Sequence, residues 1–320
     1  MALVVVDHDR GRLDPATLEA VTFARGVDEP VEALVAGRLD DEGVAALARH
    51  GVETLHRLQH ELLADYGPET WGAAVAWAIG EIEPELVLAP GTDRGNETLA
   101  QAAARLDLPF AANVIELEPG DPTRLVRIRW GGSLLEDAEL DAEVVVASVG
   151  LHAVEAVECH PDADGPEVDE HTPDIDAALA RSVVADRVER EAGLTLATAP
   201  VVVGGGRGVG SAEGFAPLEE LAELLGGVVG CSRAVTNNGW RNHADQVGQT
   251  GTRIAPEVYI ACGISGAIQH WVGAKAAKTI IAVNTDPEAN MVTKAGYAVI
   301  GDLHEVVPAI SAEIRRRRGA

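Results

Sequence analysis

Arg207, Arg233, Thr250, Gln269, His270, Asn284 and Asp302 each stand on or beside a turn rich in glycine, serine, threonine or asparagine. Their types suit one kind of ligand. A guanidinium fork matches phosphate oxygens. The small residues of the turns around them would expose backbone N–H groups to the same ligand. No pairing of a nucleophile with a base is evident among them. The chemistry points to holding an extended, anionic, nucleotide-like molecule.

The flanking elements explain how such residues would be positioned. Val201–Val203 is a short buried strand by composition, followed by Gly204, Gly205, Gly206, Gly208 and Gly210. Glycine lets backbone N–H groups approach a ligand closely. Pro217 then opens an amphipathic helix over Leu218–Leu225, with Glu219, Glu220 and Glu223 outward. The loop alone is a weak signal and is equally a plain turn. Ser211 stands where a third glycine of a dinucleotide fingerprint would be, and no lysine follows as in a P-loop. Val258–Ile260 reads as a second strand, ending in Gly263-Ile264-Ser265-Gly266-Ala267-Ile268-Gln269-His270. Ile280–Val283 reads as a third, ending at Asn284-Thr285-Asp286-Pro287. Ligands of open α/β sheets bind beyond such strand ends.

The segments GGRG, GCSRA, QVGQTG, APEVYIACGISGAIQH, AVNTDPEA and GDLHEVVP, in this order and spacing, closely resemble the alpha subunit of electron transfer flavoproteins. The likeness is strong over the C-terminal part. It is looser before it, through LDPATLEAVTFAR, EPVEALVAG and GNETLAQAAARLDLPFAANVIEL.

The resemblance implies an α/β protein of two domains. Residues 1–190 would form an N-terminal parallel-sheet, nucleotide-hydrolase-like (Rossmann-like) domain. That domain would make the subunit contact, hold no cofactor and include an acidic linker at 158–176. Residues 191–320 would form a C-terminal, doubly wound FAD-binding domain. It implies one non-covalent FAD. Arg207, the Ser265–Gly266 turn, Asn284, Asp302 and Leu303 would serve its pyrophosphate–adenosine half, and Ala267 and Ile268 would also bind the cofactor. Ser232, Arg233, Val247, Gly248, Gln249, Thr250, Gln269 and His270 would serve the isoalloxazine and ribityl groups. Arg233, Thr250 and His270 would tune the flavin: Arg233 as a cation over the ring, His270 as a donor on the pyrimidine side, Thr250 as a hydroxyl near N5 or O4.

It further implies a beta subunit carrying AMP or a second FAD. Electrons would come from flavoprotein dehydrogenases of the acyl-CoA dehydrogenase type and pass to a membrane quinone oxidoreductase. The chain would then be an electron carrier rather than a catalyst with its own substrate. Taken singly, Arg233 could equally pair with an acid, and His270 could be a satisfied buried histidine. A non-redox nucleotide binder or a stand-alone FAD/NAD(P)H reductase are the competing readings, and the reductase lacks a second dinucleotide fingerprint. The stretch Val235–Gln246 departs from the family, where Ala-Val-Asp-Ala-Gly and then Pro-Asn-Asp are common. The flavin's exposed edge is where such a departure would act.

Composition bounds the rest. At 320 residues and 47 % apolar content, two domains can each bury a core. Net charge is −26, which argues against a nucleic-acid partner. With 51 acids and lysine only at 275, 278 and 294, it suggests a cell of high internal salt. Molar KCl is then expected to raise the melting temperature, and a flat response would count against that origin. No apolar run reaches a membrane span, so the expectation is a cytoplasmic protein that is not integral to a membrane. Cys159, Cys231 and Cys262 are too scattered for a disulfide framework and read as buried thiols.

Along residues 1–150, strands (Leu3–Val6, Val31–Val35, Leu86–Leu88) alternate with helices (Pro15–Arg25, Glu42–His50, Glu69–Ile79, Asn96–Leu106), predicting a mainly parallel sheet. Leu125–Arg129 and Val144–Val149 are candidate later strands. No metal site is expected. His50, His56 and His60 read as solvated helix histidines. Cys159, His160 and His171 lack ligand spacing. The acidic 158–176 stretch reads as a surface loop, Gly91–Asn96 as a structural turn, and Arg315–Arg318 as the solvated end of a helix.

Overall fold

The computed structural model describes residues 1–185 and 194–319. The chain divides into two compact units. The expected boundary near residue 190 lies outside the described residues.

The first unit is wound on nine strands: β1 (Ala2–Val5), β2 (Val31–Ala36), β3 (Val52–Leu58), β4 (Leu86–Pro90), β5 (Phe110–Glu118), β6 (Thr123–Arg129), β7 (Leu134–Leu140), β8 (Val145–Val149) and β9 (Glu167–His171). They lie in the order β9-β3-β2-β1-β4-β8-β5-β6-β7. Pairing is parallel except for the antiparallel β5–β6 and β6–β7 edge. The helices are α1 (Ala16–Arg25), α2 (Asp41–Arg49), α3 (Pro68–Ile82) and α4 (Asp93–Leu106).

A parallel sheet is covered on both faces, so its strands are apolar at every position. β1 shows this. Val4 belongs to the core with α1 residues Val21 and Phe23. Leu3 and Val5 belong to the opposite core, with Trp71, Val75 and Ile79 of α3 and Leu99 of α4. Burying each such side chain contributes about 1.5–3 kcal/mol. α3 and α4 approach closely because residue 72 is glycine: a Cβ there would meet the Gln101 side chain. Gly80, on the same helix, is exposed and faces open space. Gly80→Ala is therefore expected to raise stability by about 0.5–1 kcal/mol, read as a higher denaturation midpoint at unchanged m-value.

Two expectations fail here. None of the three histidines is a solvated helix residue: His50 is 6 % exposed at the end of α2, His56 lies on β3, and His60 precedes a short helical turn in extended conformation. His50 caps α2, Gly51 follows with φ +96°, and β3 begins at Val52. A left-handed residue stops a helix, and Val52, Leu55 and Leu58 are all buried in the sheet. The acidic stretch 158–176 is not all loop, because β9 lies within it. The Gly91–Asn96 segment is a helix entry: Thr92 Oγ1 accepts from Gly95 N at 3.0 Å and donates to the Asp7 carboxylate.

The second unit carries five strands: β10 (Val201–Gly205), β11 (Val228–Cys231), β12 (Val258–Cys262), β13 (Thr279–Asn284) and β14 (Tyr297–Ile300). All pair in parallel, in the order β11-β10-β12-β13-β14. The helices are α5 (Ala216–Leu225), α6 (Arg233–Asn237), α7 (Ile268–Ala274), α8 (Asn290–Lys294) and α9 (Leu303–Arg318). The chain moves one way from β10 to β11, then crosses back to β12 and continues outward. The reversal between β10 and β12 is where an open α/β sheet leaves a crevice at its carboxyl edge. Two cores flank the sheet, one around Phe215, Leu218 and Val307 and one around Tyr259, Ile254 and Met291. At the end of α9, Arg316 and Arg317 pair with Glu313, and Arg315 pairs with Glu220.

Candidate functional site

The carboxyl ends of β10 and β12 are register partners, Gly205 against Cys262. The loops that leave them are laced together. Gly206 N donates to Cys262 O at 2.8 Å, and Gly208 N donates to Gly263 O at 3.2 Å. Contact this close requires glycine on both sides. A Cβ on Gly206 would fall on the Gly263 carbonyl, and Gly263 itself sits at φ +62° against Gly208 and Leu303.

The neighbouring strand ends join the same edge. Ser232 N donates to Gly205 O at 3.0 Å, Gly263 N to Val283 O at 2.8 Å, and Gly301 N to Asn284 O at 3.0 Å. The structure thus brings Arg207, Ser265–Ile268, Asn284, Asp302 and Leu303 to the ends of β10, β12, β13 and β14. Several of these side chains also brace the turns. Asn284 Nδ2 donates to Ile264 O at 3.1 Å, and its Oδ1 accepts from Asp286 N at 3.1 Å. Asp302 caps α9 by accepting from His304 N at 2.9 Å, which leaves its second carboxylate oxygen outside that cap. Leu303 is buried and belongs to the core rather than the surface of the site.

The second group gathers after β11. Val247 N donates to Cys231 O at 2.9 Å and Gln249 N to Gln269 O at 2.7 Å, which seats the QVGQTG turn against α7. A Cβ on Gly273 would fall on the Gly248 backbone, so that contact too depends on small residues. Arg233 opens α6, exposed, with its Nη1 3.5 Å from Thr250 Oγ1. Gln246 Nε2 donates to the same oxygen at 2.9 Å, and Thr236 Oγ1 donates to Gln246 Oε1 at 2.7 Å. Thr250 therefore receives hydrogen bonds and keeps its own O–H for an outside acceptor. Among the described residues, no carboxylate forms an ion pair with Arg207 or Arg233. In a chain of net charge −26, two unpaired guanidinium groups on one sheet edge fit an anionic ligand.

His270 is 6 % exposed. Its Nε2 is 2.8 Å from the Tyr259 hydroxyl, and its Nδ1 has no well-directed hydrogen bond, although the Val247 backbone lies near enough to favour protonation. Burial pushes the imidazole down to about 4 and holds the Tyr259 phenol well above its usual value, so both are neutral. With Tyr259 donating to Nε2, the ring's single proton sits on Nδ1. A buried N–H without a partner is costly, and a ligand acceptor would satisfy it. The Tyr259 ring fits only because residue 204 is glycine: a Cβ there would overlap the hydroxyl.

This neutrality has a pH signature. Between the unfolded value of 6.5 and about 4, the unfolded chain takes up a proton that folded His270 refuses. The histidine's contribution is complete above 6.5 and is lost as pH falls towards 4. The slope is about 1.4 kcal/mol per pH unit. Denaturant unfolding of the protein and of the Tyr259→Phe/His270→Leu double variant should show their difference shrinking by about 2 kcal/mol from pH 7 to pH 5. A constant difference would mean that His270 is not buried neutral.

Sequence reasoning passed over Gln246, Thr236 and Tyr259. Gln246 was in view as the first residue of QVGQTG. Tyr259 lies inside an apolar strand, where nothing marks its hydroxyl as the partner of a histidine on the next helix. The divergent stretch Val235–Gln246 has structural work to do. Trp240 packs against the core, and Arg241 binds Asp245 at 3.0 Å and Glu219 at 2.6 Å over the Phe215 ring. Burial holds the Cys231 and Cys262 thiols up at about 12, so neither is a nucleophile, and Cys159 is only half-buried.

Comparison with known proteins agrees with this layout. Residues 2–178 match the electron transfer flavoprotein domain, and residues 195–275 match the electron transfer flavoprotein FAD-binding domain. The chain is 33 % identical over 314 residues to electron transfer flavoprotein subunit alpha of Bacillus subtilis, covering 96 % of this chain and 94 % of that one. It is 34 % identical to the same subunit of Mycobacterium leprae and 36 % to that of Mycobacterium tuberculosis, over 99 % of each chain. The chain belongs to the electron transfer flavoprotein alpha-subunit family, and residues 195–275 of its second unit match that family's FAD-binding domain.

Proposed function

We propose that this chain holds one non-covalent FAD in a domain spanning 191–320 and pairs, through residues 1–190, with a beta subunit that carries AMP or a second FAD. Electrons are taken from flavoprotein dehydrogenases of the acyl-CoA dehydrogenase type and delivered to a membrane quinone oxidoreductase. The site of action is the cytoplasm. No helix among the described residues is long and apolar enough to cross a membrane.

The observation that supports this reading is the convergence, on one carboxyl edge, of two arginines with no carboxylate partner among the described residues and one buried imidazole nitrogen with no well-directed hydrogen bond. FAD supplies the one- and two-electron chemistry when bound. The protein's part is binding and electrostatics. Arg207 and the N–H groups of the Ser265–Gly266 turn take the pyrophosphate charge, with Ala267 and Ile268 beside them. The second Asn284 N–H and the free Asp302 oxygen take ribose hydroxyls or the adenine edge. Ser232, Val247, Gly248, Gln249 and Gln269 line the ring and ribityl chain. Arg233 supplies positive charge, Thr250 a hydroxyl donor, and His270 its Nδ1–H.

Co-expression with the beta subunit, followed by flavin extraction, tests the proposal. The expected result is a yellow heterodimer whose alpha chain retains one FAD. A colourless complex that binds another nucleotide would overturn it in favour of a non-redox role. Bleaching of the flavin by NADH in the isolated alpha chain would favour a stand-alone reductase.

A further inference from the structure

The outer edge of the first unit holds a side-chain row that the flavin chemistry does not use. β9 lies parallel to β3 with Asp169 opposite His56 and His171 opposite Leu58. β2 lies on the other side of β3, with Glu32 opposite Thr54 and Leu34 opposite His56. Alternate positions share a face, so Glu32, His56, Asp169 and His171 stand together. Their face is otherwise the apolar core of Leu34, Leu58 and α3.

His56 is 6 % exposed. Its Nε2 is 2.7 Å from Glu32 Oε2, and its Nδ1 is 3.0 Å from His171 Nε2. Trp77 packs edge-on against the His171 ring at 5.9 Å. One ligand atom from each of His56, Asp169 and His171 lies within 4.8 Å of the others. Glu32, accepting Nε2–H, leaves the His56 lone pair on Nδ1, directed at His171 and Asp169. A carboxylate behind a ligating imidazole is the usual outer partner of a metal-bound histidine, fixing tautomer and ring direction.

We propose that His56 Nδ1, His171 Nε2 and the Asp169 carboxylate form a binding site for a zinc-class divalent cation, with Glu32 as the positioning residue and solvent in the fourth place. Nitrogens bound at 2.0–2.1 Å in a tetrahedral site stand about 3.3 Å apart, so the observed pair needs to open by only a few tenths of an ångström. Two imidazoles with one carboxylate select Zn²⁺, Co²⁺ or Ni²⁺ over Ca²⁺ or Mg²⁺, which prefer all-oxygen sites. Glu32 and Asp169 bring two carboxylates to the row, and a divalent ion offsets their charge. The ion would clip β9, a largely exposed five-residue edge strand with one neighbour, onto the sheet.

The test uses the tag-free full chain, cleared of metal with a chelator, and Co²⁺ and Zn²⁺ as probes. The expected result is one equivalent of Co²⁺ taken up with the visible absorption of a four-coordinate ion, displaced by Zn²⁺, with a Zn²⁺-dependent rise in melting temperature. Asp169→Asn, at an exposed position, and His171→Ala should each weaken uptake by at least about 10-fold. Glu32→Gln should weaken affinity by about 10–100-fold while leaving the absorption spectrum in place, the mark of positioning rather than ligation. Binding of neither ion, or uptake unchanged in the Asp169→Asn/His171→Ala double variant, would overturn the site and leave the histidines as a hydrogen-bonded pair.

Discussion

Gly206→Ala is expected to empty the second unit of flavin and to destabilise it by about 3 kcal/mol or more. The methyl group has nowhere to go. It would overlap the carbonyl of Gly263 and crowd the Ile264 Cα, and these are backbone atoms that no rotamer change can move. The dihedral is not the obstacle, since Gly206 sits at φ −103°. Overpacking costs about 1–3 kcal/mol. The loops would part and loosen the Gly206–Cys262 and Gly208–Gly263 hydrogen bonds, each worth about 1 kcal/mol. Arg207 stands between those two glycines, so the proposed phosphate-binding group moves with the backbone. The measurements are denaturant unfolding and flavin per protein after gel filtration, with flavin falling by about tenfold or more if a loss near 1.4 kcal/mol reaches the binding step. Gly165→Ala, in open space at an ordinary φ, is the control and should stay within about 0.5 kcal/mol of the parent. Full flavin content in Gly206→Ala would mean that the two loops do not close on one ligand.

Why this edge was legible in the sequence, and other parts were not, follows from what each residue must satisfy. Val201–Val203, Val258–Ile260 and Ile280–Val283 are apolar throughout because parallel strands are covered on both faces. Their ends announce themselves because only Gly206, Gly208, Gly263 and Gly266 permit the loop contacts. Pro217 marked the α5 entry to within a residue or two. Of the antiparallel extension only the middle strand showed, at Leu125–Arg129; its two neighbours escaped because Ala-Ala-Asn-Val-Ile-Glu-Leu-Glu and Leu-Leu-Glu-Asp-Ala-Glu-Leu are half-exposed strands with many acids. β9 escaped for the same reason: Glu-Val-Asp-Glu-His is an edge strand with the composition of a loop. Pairings across the sheet were invisible to spacing. His56 and His171 are 115 residues apart, and only the parallel register makes them neighbours. The Tyr259–His270 bond was hidden differently, since a buried phenol in an apolar strand carries no signal until the adjoining helix is in place.

Arg233→Ala should keep the flavin and change its electron affinity. The groups proposed to hold the phosphates lie on other loops, so binding should survive. What is lost is a positive charge that no carboxylate among the described residues neutralises, in a chain of net charge −26. Its guanidinium leans towards Thr250, with Nη1 3.5 Å from Oγ1. A hydrogen bond from a charged group contributes about 1–3 kcal/mol. At 59 mV per ~1.4 kcal/mol for one electron, removal should lower the first-electron potential by about 40–130 mV. Because Arg233 is exposed, the shift should be largest at low ionic strength and shrink in molar salt. Potentiometric titration of the heterodimer reads the effect, and Arg233→Lys separates its causes. Recovery of most of the shift by lysine assigns the effect to charge; failure to recover assigns it to the fork's directed hydrogen bonds. A potential unchanged from the parent in Arg233→Ala, with flavin fully retained, removes Arg233 from flavin tuning and leaves Thr250 and His270 to set the potential.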